Sequence, residues 1–217
     1  MKKDLTEMVF ILDRSGSMHG LEAETIGGFN AMLEKQRKID GECLVTTVLF
    51  DHEYKLLHDR VEIKEVSKLT HRDYEVGGST ALRDAIGMTI NKLVNAQRHT
   101  AEIFRAEKVM FVIITDGEEN ASREFSQRKI KNMIEYQKGR YGWEFIFIGA
   151  NIDAAETAKG YGIGKDRSVD YLADSEGTEV VFGAVSHAMQ ELREEACISE
   201  AFHMQIKADT KKRGGKR

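Results

Sequence analysis

The feature that most constrains this 217-residue chain is a set of four continuous apolar runs, each rich in Val, Ile or Phe. They cover residues 8–12, 44–50, 109–115 and 145–150. These runs do not alternate apolar and polar residues, as a strand with one face in water would. Strands that are buried on both faces are typical of a parallel sheet covered by helices on each side. The runs therefore predict an α/β protein built on a central parallel sheet.

Amphipathic helical patterns lie between these strands. Residues 82–94 follow the i, i+3, i+4, i+7 spacing closely, and residues 21–33 give a weaker version that Gly27-Gly28 interrupts. A third helix is expected around residues 130–134. A long fourth one is expected over residues 180–192, with Asp174 or Ser175 placed to begin it.

Two weaker strands complete the predicted sheet. Residues 54–57 follow the second apolar run after only three residues, which is too short for a parallel crossover. We therefore expect an antiparallel hairpin at one edge of the sheet, and a strand at residues 168–171 closing the other edge. The predicted fold is a doubly wound, mostly parallel α/β sheet in one domain, residues 1–206.

The last eleven residues, 207–217, carry six basic groups and one Asp without apolar periodicity. We expect them to form a disordered basic tail, and its alternative use is contact with nucleic acid or with an acidic partner. The whole chain has 32 Lys and Arg against 36 Asp and Glu, a formal charge of −4, so a basic nucleic-acid face over the entire surface is excluded.

The apolar runs and the cysteines bear on the cellular setting. The N-terminal run of residues 8–12 is shorter than the apolar core of a signal peptide, and the chain has no stretch long enough to cross a membrane. We expect a soluble cytoplasmic protein that does not bind membranes. Cys43 and Cys197 form no metal-binding pair, and two buried thiols are favoured over a single disulfide.

Short oxygen-bearing side chains follow the predicted strands. Asp13-Arg14-Ser15-Gly16-Ser17 comes after the first run, Asp116-Gly117 after the third, and Gly77-Gly78-Ser79-Thr80 directly before the best helix. In open α/β sheets, ligands bind beyond the carboxyl ends of the strands. Hard oxygen donors without nitrogen or sulfur select Mg²⁺, Mn²⁺ or Ca²⁺. These three segments predict a divalent cation site.

The same three segments resemble the metal-ion-dependent adhesion site of von Willebrand factor type A domains, whose fold is Rossmann-like. The resemblance implies that Ser15 and Ser17 coordinate a cation, Mg²⁺ first, and that Thr80 does so directly or through a water. Asp13 and Asp116 would act mainly through waters. Ser79 stays an alternative to Thr80. Glu118, Glu119 and Asn120 are expected to form a solvated acidic loop beside the site.

What the resemblance implies for function is a protein-interaction module and not an enzyme. One coordination position of the ion would bind a Glu or Asp of a partner protein. Small stand-alone bacterial relatives are adaptors or co-chaperone-like proteins, so the expected partner is an AAA+ ATPase or another operon-encoded protein. The alternatives are a metal-dependent phosphoesterase and a nucleic-acid-associated protein that uses the basic tail.

Other α/β ligand motifs are missing. Residues 160–166 read Gly-Tyr-Gly-Ile-Gly-Lys-Asp, which fails the P-loop spacing and has Asp where Ser or Thr is required. No Gly-x-Gly-x-x-Gly follows the first strand, and neither Ser15 nor Ser17 lies in Gly-x-Ser-x-Gly. Nucleotide binding and serine hydrolysis are therefore disfavoured.

Overall fold

The structure is a computed structural model that describes residues 1–214; residues 215–217 lie outside the described part. It contains one six-stranded sheet with the strand order β3-β2-β1-β4-β5-β6, in which only β2 and β3 pair antiparallel. The strands are β1 (Lys2–Asp13), β2 (Glu42–Phe50), β3 (Tyr54–Glu62), β4 (Ala106–Thr115), β5 (Glu144–Gly149) and β6 (Ser168–Asp170). The predicted doubly wound, mostly parallel fold is confirmed.

Six α-helices within residues 1–214 cover the two faces of this sheet. They are α1 (Glu22–Gln36), α2 (Leu82–Arg98), α3 (Gln127–Tyr141), α4 (Ala154–Gly160), α5 (Ser175–Glu195) and α6 (Ala201–Lys212). Apolar residues of α1, α5 and α6 form one core with one side of the sheet, and those of α2, α3 and α4 form a second core with the other side. Within the described residues, no helix is long and apolar enough to cross a membrane.

Strand β1 shows why the apolar runs do not alternate. Phe10 and Leu12 lie in the first core, whereas Val9 and Ile11 lie in the second, and all four are buried. Successive side chains of a strand point to opposite faces, so a strand covered on both sides needs an apolar residue at every position.

Strand β3 is longer than predicted, because polar residues in its second half interrupt the apolar pattern. Strand β3 continues to Glu62 instead of ending at residue 57, with Arg60 in a left-handed conformation at a register shift. The Arg60 guanidinium pairs with the fully buried Glu7 carboxylate of β1. A buried ion pair is stable only when its partners are well aligned, and this one fixes the far half of the edge hairpin.

The predicted disordered tail is wrong for residues 207–212, which belong to helix α6. Phe202 and Ile206 of this helix are buried against the first core. At its end, Arg213 forms an ion pair with Asp174, which caps the N-terminus of α5 and is one of the two residues predicted to begin that helix. The part of the predicted tail that comprises residues 215–217 lies outside the described residues.

The two thiols are free, and Cys43 is buried as expected. Cys197 is exposed, in the turn between α5 and α6, so the prediction of two buried thiols is wrong for this residue.

The two adjacent glycines of α1 give a matched test of this packing. An ideal Cβ on Gly28 would lie 2.3 Å from Cδ2 of the buried Phe182 ring on α5, whereas a Cβ on Gly27 meets nothing within 4 Å. We expect Gly28→Ala to lower the free energy of unfolding by about 1–3 kcal/mol through overpacking. Gly27→Ala should raise it by about 0.5–1 kcal/mol through helix propensity.

Urea unfolding followed by circular dichroism measures both variants under the same conditions. Equal effects of Gly27→Ala and Gly28→Ala would contradict the close approach of α1 to α5.

Candidate metal centre

The candidate site lies where the sheet order reverses. The chain runs outward from β1 to β2 and β3 and then returns to β4 on the other side of β1. In the parallel pair β1–β4, Leu12 is in register with Ile114, so the two strands end side by side, with Asp13 as the last residue of β1 and Asp116 directly after β4. The crevice at such a switch point is where open α/β sheets bind their ligands.

The first loop, Asp13–Ser17, makes a sharp turn that the side chain of Asp13 stabilises. The Asp13 carboxylate accepts a hydrogen bond from the backbone N–H of Ser15 at 2.7 Å, through Oδ1. A short 3₁₀ turn starts at Gly16, and it brings the hydroxyls of Ser15 and Ser17 to within 3.1 Å of each other. The loop therefore presents two hydroxyl oxygens at one point.

Backbone hydrogen bonds join this loop to the Gly77-Gly78 loop. Gly16 N–H donates to the Gly78 carbonyl at 3.1 Å, and Gly77 N–H donates to the Arg14 carbonyl at 2.9 Å. Gly78 has a φ of 76°, and a Cβ there would lie 2.3 Å from Nδ1 of His52. Only glycine combines this left-handed conformation with such a close approach.

The third loop brings Asp116 and Gly117 against these hydroxyls. Ser17 donates its hydroxyl hydrogen to Oδ1 of Asp116 at 2.5 Å. A Cβ placed on Gly117 would lie 3.0 Å from Ser17 Oγ and 3.4 Å from Thr80 Oγ1, so both hydroxyls face the Gly117 backbone. The Oδ2 atom of Asp116 is buried and has no hydrogen-bond partner among residues 1–214.

The structure thus brings together all five residues that the sequence singles out: Asp13, Ser15, Ser17, Thr80 and Asp116. The structure also distinguishes Thr80 from Ser79, the alternative site residue. Thr80 is buried beside Gly117, whereas Ser79 is exposed.

Glu119 and Asn120 have a structural role that the sequence analysis missed. The Glu119 carboxylate is largely buried and accepts hydrogen bonds from the N–H groups of Arg83, Ala121 and Ser122 at 2.8–3.0 Å. It lies at the N-terminus of α2, where the helix dipole favours an anion. The prediction of a solvated acidic loop is therefore wrong for Glu119. Glu118 is exposed, as predicted.

Asn120 fixes the position of Thr80. The side-chain oxygen of Asn120 accepts a hydrogen bond from Thr80 N–H at 2.9 Å, and Asn120 N–H donates to the Thr80 carbonyl at 3.0 Å. These reciprocal bonds hold the Thr80 hydroxyl beside Ser17. The sequence does not predict this role for Asn120, because its partner Thr80 lies 40 residues earlier in the chain.

Asp13 and Asp116, the two carboxylates of the site, both have raised pKa values, because their surroundings disfavour the charged form. Burial raises the pKa of Asp13 to about 6, although bonds from the Thr115 hydroxyl and from Ser15 lower it in part. Burial also raises the pKa of Asp116, against a smaller opposite effect of the Ser17 hydroxyl. A positive charge at this point would favour both anions.

The donor set fits a hard divalent cation. Three neutral hydroxyls and two carboxylates supply only oxygen, the ligand that Mg²⁺, Mn²⁺ and Ca²⁺ prefer. The unpartnered Oδ2 of Asp116 is a buried acceptor for which a bound ion or its water would be a partner. No group of three or more His, Cys, Asp or Glu side chains with metal-site geometry occurs in residues 1–214.

Comparison with solved structures gives many matches at low sequence identity. The von Willebrand factor domain of the type V pilus tip protein Mfa5 from Porphyromonas gingivalis matches with a TM-score of 0.66 and 11% identity, over 92% of this chain and 100% of that one. The PilB minor pilin from Streptococcus sanguinis matches with a TM-score of 0.59 and 13% identity, over 88% and 62%.

A third match is proximal thread matrix protein 1 from the mussel byssus, with a zinc-occupied metal-ion-dependent adhesion site. Its TM-score is 0.58 at 13% identity, over 87% of this chain and 46% of that one. The chain has the von Willebrand factor type A fold. No family model and no curated protein sequence matches it. The chain spans 62% of the pilin and less than half of the byssus protein.

The stability of this domain should show a pH dependence that originates at Asp13. A carboxyl whose pKa is higher in the folded than in the unfolded chain stabilises the fold at low pH. With values of about 6 and 3.8, that stabilisation is complete below pH 4 and is lost as the pH rises through 6. In chelator, we expect a loss on the order of 3 kcal/mol at pH 7.

The Asp13→Asn variant isolates this contribution, because its amide oxygen can still accept the bond from Ser15 N–H. Thermal melts of both proteins from pH 4 to 7 in chelator give the difference directly. A difference that does not change with pH would exclude Asp13 as its source.

Proposed function

We propose that this chain is a metal-dependent protein-interaction module. In this proposal Ser15, Ser17 and Thr80 hold a divalent cation, Mg²⁺ first, with Asp13 and Asp116 completing the site. The cation then binds a Glu or Asp side chain of a partner protein. The observation that carries the proposal is that the hydroxyls of Ser15, Ser17 and Thr80 gather at the Asp116-Gly117 loop, where the buried Oδ2 atom of Asp116 has no hydrogen-bond partner among residues 1–214.

The chemistry of these donors explains why the bound ion would seek an external ligand. Hydroxyl oxygens are neutral and leave a divalent ion electron-poor, while two carboxylates roughly balance its charge without saturating its coordination. A carboxylate from a partner would then complete the coordination in a partly water-excluded place, where charge pairs are stronger than in bulk water.

The comparisons support this proposal in a general way. One structural neighbour carries zinc in its metal-ion-dependent adhesion site, and another is the tip domain of a pilus. Both are less than 15% identical to this chain, so their likeness supports the fold, and cation binding here rests on the residues themselves. An AAA+ ATPase or another operon-encoded protein in the cytoplasm stays our hypothesis for the partner.

Metal titration tests the site. A ligand that binds only the folded state stabilises it by RT ln(1 + [L]/Kd), about 2.7 kcal/mol at a hundredfold excess over Kd. For a domain of this size, Mg²⁺ or Mn²⁺ should therefore raise the Tm by roughly 5–10 °C over a chelated sample. Asp13→Ala and Thr80→Val should lose this increase, since each removes an oxygen of the site.

Ser79→Ala is the matched control, because it removes an exposed hydroxyl next to Thr80. It should retain the full metal effect. The same rise in Tm for wild type and Asp13→Ala would contradict the proposed site, as would a loss that occurs only in Ser79→Ala.

The proposal contains no catalytic step. The alternative of a metal-dependent phosphoesterase requires turnover of p-nitrophenyl phosphate that Asp13→Ala abolishes. Nucleic-acid binding through the basic segment stays a prediction. It requires a salt-dependent affinity that is lost when Lys207, Lys211 and Lys212, which are exposed on α6, are changed to Gln.

A further inference from the structure

We propose that a second surface of this chain binds an acidic segment of a partner protein through an aliphatic side chain of that segment. This surface, which we call the α2–α3 patch, surrounds a cavity of about 80 Å³. The cavity is lined by Gln97, Arg98, Arg105, Tyr136, Gln137 and Tyr141, among others. The patch also includes Ile103 and Phe104, which directly precede Arg105.

The α2–α3 patch lies at the opposite end of the sheet from the candidate metal centre. Its residues come from the ends of α2 and α3 and from the segments directly before β4 and β5. The metal centre lies at the other end of β4, which has ten residues and is therefore about 33 Å long. Binding at the patch is thus independent of the proposed cation.

The patch exposes large apolar side chains. Ile103, Phe104, Tyr136 and Tyr141 are 39–68% exposed, and they are four of the seven exposed large apolar residues in the described chain. The rings of Tyr136 and Tyr141 pack edge to face, with 6.0 Å between their centroids. Single exposed apolar side chains are normal, whereas a group of them around a cavity is typical of a protein interface.

Three arginines give the patch a positive charge. Arg98 and Arg105 line the cavity, and the guanidinium of Arg140 lies 6.0 Å from the ring centroid of Tyr141. None of the three forms an ion pair with a carboxylate of residues 1–214. The described lining contains no Asp or Glu, and the neighbouring Glu102 only partly offsets three positive charges. Charge complementarity therefore favours a partner that carries carboxylates.

Gln137 gives a second, independent sign of a ligand. Its side chain is 5% exposed and lines the cavity, and its Oε1 atom is buried without a hydrogen-bond partner among residues 1–214. Buried polar atoms normally have such a partner. The amide oxygen can only accept a hydrogen bond, so the ligand must supply a donor. A backbone N–H of a bound peptide segment is such a donor.

These observations together favour a peptide over a nucleic acid. A phosphate backbone would pair with the arginines but has no N–H group for Gln137. A cavity of 80 Å³ has room for two or three waters at about 30 Å³ each, or for one small aliphatic side chain. The expected segment therefore places a Val or Leu in the cavity, with Asp or Glu on both sides for the arginines.

The first experiment measures the binding of defined peptides. The fluorescent peptide Gly-Asp-Glu-Leu-Asp-Glu-Gly is titrated with the full chain in chelator, up to millimolar concentration, and its anisotropy is followed. The chelator prevents the peptide from binding to a cation at the candidate metal centre. We expect saturable binding that is about fivefold weaker when Asn and Gln replace Asp and Glu. Ser in place of Leu should weaken it about tenfold.

Trp143 reports where the peptide binds. It is the only Trp of the chain, is 3% exposed and lines the cavity. In ¹⁵N NMR spectra, the indole N–H of Trp143 and the side-chain amide of Gln137 should shift with the acidic peptide. The backbone amides of Ser15 and Thr80 at the metal centre should not. Shifts that leave both Trp143 and Gln137 unchanged would overturn the inference.

Matched variants separate the patch from the overall charge of the chain. Arg98→Gln/Arg140→Gln should weaken binding of the acidic peptide about fivefold. Arg72→Gln/Arg128→Gln removes two other exposed arginines outside the patch and should bind like the wild type. All four side chains are exposed, so both double variants should fold.

A second matched pair tests the apolar part of the patch. Phe104→Ala should weaken binding of the acidic peptide severalfold. Met204→Ala on α6 removes a side chain that is also 61% exposed, and it should have no effect.

Four results would overturn the inference: no saturable binding, equal binding of the neutral peptide, equal weakening in both double arginine variants, or equal effects of Phe104→Ala and Met204→Ala. A shift of Trp143 with protein concentration in the absence of peptide would identify a second copy of this chain as the occupant, and would also overturn the acidic partner. Because every sample contains chelator, these results do not depend on whether the proposed metal site exists.

Discussion

The hydrogen bond from the Thr115 hydroxyl to Oδ2 of Asp13, 2.5 Å long, is the interaction on which the site depends. It joins the ends of β1 and β4, the two strands between which the sheet order reverses. With Oδ2 held by Thr115 and Oδ1 held by Ser15 N–H, the Asp13 carboxylate sets the direction of the loop that carries Ser15 and Ser17. The Tyr74 hydroxyl also holds Asp13 in place, because it donates a hydrogen bond to the backbone carbonyl of Asp13.

From that point the site is built by loops that bond to one another. The first loop is tied to Gly77-Gly78, and Thr80 is tied to Asn120 in the loop after β4. These contacts are made by backbone groups and side chains of the protein itself, and they hold the oxygen atoms of the site close together. Such preorganisation favours binding, because less free energy is lost in ordering the site when a ligand binds.

The sequence predicts the parts of this arrangement that depend on local patterns. The buried strands follow from uninterrupted apolar runs. The five candidate site residues follow from short polar segments after β1, after β4 and before α2, together with the resemblance of these segments to the metal-ion-dependent adhesion site. What it does not predict depends on distant partners. Glu119 and Asn120 bond to the start of α2 and to Thr80, which lie about 40 residues earlier in the chain. Glu7 interrupts the apolar pattern of β1 in the sequence, although its side chain is fully buried and pairs with Arg60. Helix α6 was missed because its charged residues mask the two apolar ones that anchor it, Phe202 and Ile206.

The electrostatics of the site connect its binding to its folding. Asp13 and Asp116 are buried with raised pKa values, so near neutral pH the fold holds two carboxylates in an environment that disfavours their charge. Their hydrogen bonds to Thr115, Ser15 and Ser17 compensate only in part. A cation at this place would offset the same desolvation cost that folding incurs, because it stabilises the anions where water cannot. Stability and ligand capture would then draw on a single interaction.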